Sequence, residues 1–227
     1  MNPSPRPDSR IRHATFTLAL CLAAAAPLLA APAKWTAAID KFTQADATRA
    51  PAPGGIVFVG SSSIVKWTTL TEDFPGLPVI NRGFGGSELE DSLFYADRIV
   101  LPYRPRTVVL YAGDNDLNAG KTPERVHADF RAFVAKIHAA LPKTKIVFIA
   151  IKPSPSRWKN IATIRAANAL IAADCAKDPR LAYADIFTPM LGADGQPRPE
   201  LFVKDMLHIN AAGYALWQPV LAPLLKP

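Results

Sequence analysis

Two short stretches of this sequence hold residue types that could attack a carbonyl and move a proton. In "VKDMLHIN", Asp205 stands three residues before His208. A carboxylate at that spacing can reach the imidazole, hold its tautomer and leave the other ring nitrogen for a hydroxyl. In "IVFVGSSSIVKW", three serines, Ser61, Ser62 and Ser63, follow Gly60 at the end of a β-branched and aromatic run. Hydroxyl, imidazole and carboxylate together are the parts of nucleophilic acyl transfer. The remaining histidines fit less well. His13 lies in the N-terminal segment, and His127 and His138 flank the apolar side of one predicted helix, where solvated or packing roles are expected.

Acyl transfer also needs donors aimed at the oxygen that becomes negative. "GFGGS" offers flexible backbone N–H groups, with Gly86 the candidate, and "AGDND" offers the side-chain amide of Asn115. A dinucleotide-binding reading of "GFGGSE" fails on spacing, because the third glycine of G-x-G-x-x-G would fall on Glu88. Asp114, Asp116, Asp205 and His208 could be drawn together around a metal on paper, yet no recognised ligand spacing is present, so no metal is expected. Cys175, in "ALIAADCAKD", reads as a packing residue of a helix.

The elements that must carry these residues alternate. Trp35, Ile39 and Phe42 recur at helical spacing, and "PAPGG" ends that helix. "IVFVG" reads as a strand buried on both faces. Further strands are expected at 78–83, 107–113, 145–151 and, more weakly, 181–187. Helices are expected from Glu88, over 157–176, and after Thr122, which caps a helix with Pro123 in its first turn. Asn210 is the expected cap of a last helix. Five strands alternating with helices predict a parallel sheet covered on both faces. Ligands then bind at the carboxyl ends of the strands, which is where "GSSS", "RGFGGSE", "GDND" and "KPSPSRW" fall. Trp67, Arg157 and Trp158 are candidates to line a substrate pocket there, although for the tryptophans packing against a helix is the preferred role.

The chain has 227 residues, is 49% hydrophobic and carries a formal charge of +7. No basic stripe with interleaved aromatics accompanies that charge, so nucleic acid is not an expected partner. The first 33 residues read as a signal peptide: Arg6, Arg10, Arg12 and His13, then "ATFTLALCLAAAAPLLAA", then the small-x-small site "APA" before Lys34. Cleavage after Ala33 would send a 34–227 domain out of the cytoplasm, secreted or periplasmic. Contact with a membrane is expected only through that segment if it stays uncleaved. Cys21 leaves with it, so no disulfide is expected within the remaining domain.

The ordered set "VFVGSSS", "NRGFGGS", "YAGDND" and "DMLH" resembles the four blocks of the SGNH hydrolases, the GDSL-type esterases and lipases, from about Ile56 to the C-terminus. The resemblance implies a flavodoxin-like three-layer α/β/α sandwich on a five-stranded parallel sheet. It places the nucleophile on Ser62 and the acid–base pair on His208 and Asp205. It places the oxyanion donors on the Ser62 and Gly86 N–H groups and on Asn115, and it implies no cofactor. Ser61 stands where the family's first block usually has aspartate. "FVGSSSI", "NRGFGG" and "IKPSPSRW" are similar to one secreted subgroup in which serine is usual there. Small acyl esters, lipid acyl esters and O-acetyl groups on glycans are the substrate classes this implies, with water or another alcohol as acceptor. A non-catalytic secreted binding protein on the same fold is the alternative, motivated by Ser61. A histidine base further implies activity that rises with pH as the imidazole loses its proton.

Overall fold

The strand Ile56–Gly60 (β1) is buried along its whole length, as its unbroken apolar run requires. It pairs on one side with Val79–Gly83 (β2) and on the other with Thr107–Tyr111 (β3). Lys145–Ile149 (β4) and Leu181–Ala184 (β5) continue from β3, giving a five-stranded sheet of order β2-β1-β3-β4-β5 with every pair parallel. This computed structural model describes Met1 and residues 33–226. The signal-peptide reading of residues 1–33, including Cys21, thus falls almost wholly outside the described residues.

The helices are Ala33–Thr48 (α1), Ser62–Val65 (α2), Leu70–Asp73 (α3), Leu89–Ile99 (α4), Asp114–Asn118 (α5), Pro123–Ala140 (α6), Ile161–Cys175 (α7) and Ala211–Leu221 (α8). Neighbouring residues of a strand point to opposite faces, and this sorts the helices into layers. Leu110 pairs with Phe148, and Phe148 packs edge-on to Phe130 of α6 at 5.3 Å. The next residue, Tyr111, packs instead against Trp217 of α8 at 5.2 Å. α4 and α7 flank α6, and α1 packs on α4. On the other face Trp67 stacks on Tyr214 of α8 and meets Phe58 of β1 and Phe74. The expected three-layer α/β/α sandwich with a flavodoxin-like strand order is what the chain forms.

The caps follow the residue types. Thr122 accepts the Arg125 N–H at 3.2 Å, with Pro123 first in α6. Asn210 accepts the Gly213 N–H at 3.1 Å and opens α8. Several expected boundaries were too generous at the carboxyl ends. β3, β4 and β5 stop at Tyr111, Ile149 and Ala184, because the chain leaves the ladder there to form loops. After β5 the Asp185 carboxylate accepts from the Thr188 N–H and hydroxyl, which turns the chain away. The helix expected from 157 begins at Ile161. Pro155–Asn160 is a 3₁₀ segment in which Arg157 departs from helical geometry at φ −117°.

Candidate active site

The chain runs from β1 to β2 on one side, then crosses to β3 on the other. This reversal opens a crevice at the carboxyl ends of β1 and β3. Gly60 ends β1 with φ +137°, and a Cβ there would lie 1.9 Å from the Tyr111 carbonyl oxygen. Only glycine lets the chain turn so close to β3. The turn delivers Ser62 as the first residue of α2, where its N–H has no acceptor within the helix.

Ser62 Oγ lies 3.0 Å from His208 Nε2, and His208 Nδ1 lies 2.6 Å from Asp205 Oδ2. The neighbouring serines are placed differently. Ser61 and Ser63 are buried, and the Ser63 carbonyl accepts the Tyr214 hydroxyl. The hairpin that presents His208 is closed by the Phe202–Ile209 bridge and by the Val203 N–H donating to the His208 carbonyl at 2.8 Å. Asp205 Oδ1 accepts the N–H groups of Leu207 and His208, both at 2.9 Å, so this carboxylate shapes the loop and holds the ring at once. Met206, between them, takes a left-handed φ of +55°, a strained setting for a side-chain-bearing residue. Desolvation opposes ionisation of Asp205. The His208 imidazole and the two backbone donors outweigh it and hold the carboxyl well below its ordinary range.

The loop after β2 closes the other side. Gly86 is exposed with φ +74°. A Cβ on the adjacent Gly85 would come 3.9 Å from the Ser62 Cβ. Trp35 of α1 backs this loop, edge-on to Phe84 at 5.6 Å. Asn115, at the start of α5, donates from Nδ2 to the Ser87 carbonyl at 2.8 Å and accepts from Arg157 Nη2 on Oδ1 at 3.0 Å. A carbonyl can only accept and a guanidinium can only donate, so the amide has one orientation. Its second Nδ2 hydrogen takes part in neither of these bonds. Asp116, fully buried, accepts from the Leu89 and Gly113 N–H groups and from Lys121. It ties the Gly86 loop to the Asn115 loop.

Behind Asn115 lies a cluster that sequence reasoning missed. Lys152 and Asp114 are both buried, with Nζ to Oδ2 at 2.6 Å. Lys152 also donates to the Tyr111 hydroxyl at 3.0 Å, and Arg157 Nη1 meets Asp114 Oδ1 at 2.6 Å. Burial disfavours both charges, but each is outweighed by the other: Lys152 is pushed up by Asp114 and Tyr111, and Asp114 down by Lys152 and Arg157. A signal was available. Leu110 and Phe148 are paired, and four residues beyond each stand Asp114 and Lys152, opposite charges leaving adjacent strands together.

Trp67 takes the packing role: it is buried and donates to Asp73 at 2.5 Å. Arg157 is drawn back onto Asp114 and Asn115, so it is not a free pocket wall. Asp114, Asp116 and Asp205 are engaged by cations and backbone donors, and among the described residues no group of three or more His, Cys, Asp or Glu side chains could hold a metal ion. His127 meets Asp174 at 2.6 Å and His138 the Thr144 carbonyl at 3.0 Å, both away from Ser62.

Comparison with known proteins agrees with this architecture. A GDSL-like lipase from Bacteroides thetaiotaomicron superposes with a TM-score of 0.71 at 21% identity, over 82% of this chain and 96% of that one. A lipase/acylhydrolase from Enterococcus faecalis gives 0.56 at 21% identity, over 77% and 98%. A catalytic mutant of an acetylxylan esterase from Geobacillus stearothermophilus gives 0.60 at 15% identity, over 77% and 95%. No curated protein matches the sequence. The model of the GDSL-like lipase/acylhydrolase family matches residues 23–216. With that match and the parallel sheet described above, the chain belongs to the GDSL-like lipase/acylhydrolase family and is a hydrolase of esters.

Proposed function

We propose that this protein is a secreted serine esterase that cleaves carboxylic esters through an acyl-enzyme on Ser62. The observation that carries the reading is the relay from Ser62 Oγ to His208 Nε2 at 3.0 Å and from His208 Nδ1 to Asp205 at 2.6 Å. Ser62 Oγ attacks the ester carbonyl as its proton passes to Nε2. The N–H groups of Ser62 and Gly86 and the Asn115 amide receive the oxyanion. Collapse of the tetrahedral intermediate expels the alcohol, which takes the proton from Nε2. Water then attacks the acyl-enzyme, gives its proton to Nε2, and Ser62 leaves with that proton restored. Each step uses this chain's own groups.

The acyl group we favour is small, with O-acetylated saccharide as the alcohol side. Gly86 and Asp205 are exposed at the rim, which suits a bulky alcohol, and the acetylxylan esterase is among the similar structures. The test is turnover of p-nitrophenyl acetate and acetylated xylo-oligosaccharide by wild type and Ser62→Ala, with a fluorophosphonate probe as a label. Turnover and labelling of Ser62 in wild type, both lost in the variant, are expected. Full activity in Ser62→Ala would sink the assignment. Wild type that neither turns over esters nor takes the label would favour a binding protein on this fold.

Export is proposed on the N-terminal sequence pattern, with residues 34–227 as the mature domain. Mass spectrometry of the exported chain should find Lys34 at its N-terminus; a retained residue 1–33 segment would overturn the cleavage.

A further inference from the structure

We propose that Arg157 is a positioning residue for ester cleavage, holding and polarising the Asn115 amide from behind and itself held by the buried Asp114–Lys152 pair. The inference rests on the oxyanion role given to Asn115 above.

Three observations carry it. Arg157 Nη2 donates to Asn115 Oδ1 at 3.0 Å, while Asn115 Nδ2 donates to the Ser87 carbonyl at 2.8 Å. The amide is thereby clamped at both ends, with one Nδ2 hydrogen outside the clamp. A charged donor on the amide oxygen draws electron density from the nitrogen and makes the remaining N–H a stronger donor. Second, Arg157 leaves helical geometry within its 3₁₀ segment and is largely buried, with 13% side-chain exposure. The Ser156 N–H bonds to the Met206 carbonyl at 3.1 Å, so the segment that carries Arg157 is also fastened to the loop that carries His208. Third, Asp114 faces two cations, Lys152 and Arg157, each at 2.6 Å. One carboxylate cannot neutralise both. The positive charge left over is therefore free to act on the Asn115 oxygen that Arg157 contacts, and it keeps the amide polarised before the reaction begins.

A role confined to holding the loop would predict the same loss whatever residue 115 is. A role exerted through the amide predicts that the loss vanishes with the amide. The experiment is a double-mutant cycle on kcat and KM for p-nitrophenyl acetate with wild type, Arg157→Met, Asn115→Ala and the double variant. Arg157→Met leaves Asp114 paired with Lys152, and its melting temperature and Ser62 labelling check the fold. Expected is a kcat loss of roughly tenfold or more in Arg157→Met, with KM within about twofold, and less than about a twofold further loss when Asn115 is already alanine. If Arg157→Met does not fold, the cycle is run with Arg157→Lys, which keeps a cation but loses the planar fork that serves both partners. A full, additive loss in the Asn115→Ala background overturns the proposal, as does an unchanged kcat. Failure of the esterase reading shows separately, as turnover that survives Ser62→Ala or a wild type with none.

Discussion

The Ser62 hydroxyl and His208 Nε2 lie 3.0 Å apart although 146 positions separate them in the chain. Neither residue is close to the other by local structure. The turn at Gly60 presents the first, and the Phe202–Ile209 hairpin presents the second.

The serine run should therefore divide by function. Ser62→Ala is expected to lower kcat for p-nitrophenyl acetate by about three orders of magnitude or more, while Ser63→Ala, whose hydroxyl is buried and not bonded to His208, should stay within a few-fold. A matching loss in both, with Ser62 unlabelled, would point to a damaged turn.

Asn115→Ala should lower kcat by about a hundredfold, the usual loss of one oxyanion donor, and leave KM nearly unchanged. An effect on KM alone would mean that the amide holds the ground state and not the transition state.

Asp205 is half exposed, at 48% of its side chain. Asp205→Asn should cost less than the roughly 10⁴-fold seen where such a carboxylate is buried, on the order of a hundredfold in kcat. Its folded-state ionisation is favoured, so whatever stability the Asp205–His208 contact adds is present above the ordinary carboxylate range and is lost as pH falls through the lowered one. Unfolding of wild type and Asp205→Asn in urea should differ at neutral pH and converge in acid.

Lys152→Met removes one cation from a buried pair. A destabilisation of about 3 kcal/mol is expected near neutral pH, read by urea unfolding. The sign with pH follows from Asp114. Its carboxyl is lowered in the native protein, so its contribution is present above the unfolded value and fades as pH falls. Without Lys152 the carboxyl protonates more easily, and the gap between variant and wild type should narrow toward acid. A gap that is constant with pH would assign the loss to packing alone.

Cys175 is buried, and desolvation, with help from Asp174 and Asp178, pushes its thiol up to about 12. Iodoacetamide should leave both the native Cys175 thiol and the esterase activity unchanged and should modify Cys175 once the chain is unfolded. Loss of activity in step with native alkylation would contradict the assignment to Ser62.

Much of this is legible in the sequence. The strand runs at 56–60 and 145–149 are buried and β-branched, Thr122 and Asn210 are capping residues, and the alternation of elements implies a parallel sheet. These depend on neighbours in sequence, so local pattern is enough. The same holds for the four loops that could bear chemistry, because a parallel sheet places its functional loops at the carboxyl ends. Only the tertiary structure decided that Arg157 turns inward to Asn115 and Asp114. The Lys152–Asp114 contact spans 38 positions and exists because β3 and β4 are adjacent and in register. Sheet order and register are settled by the summed packing of both faces, and no local window of sequence contains that sum.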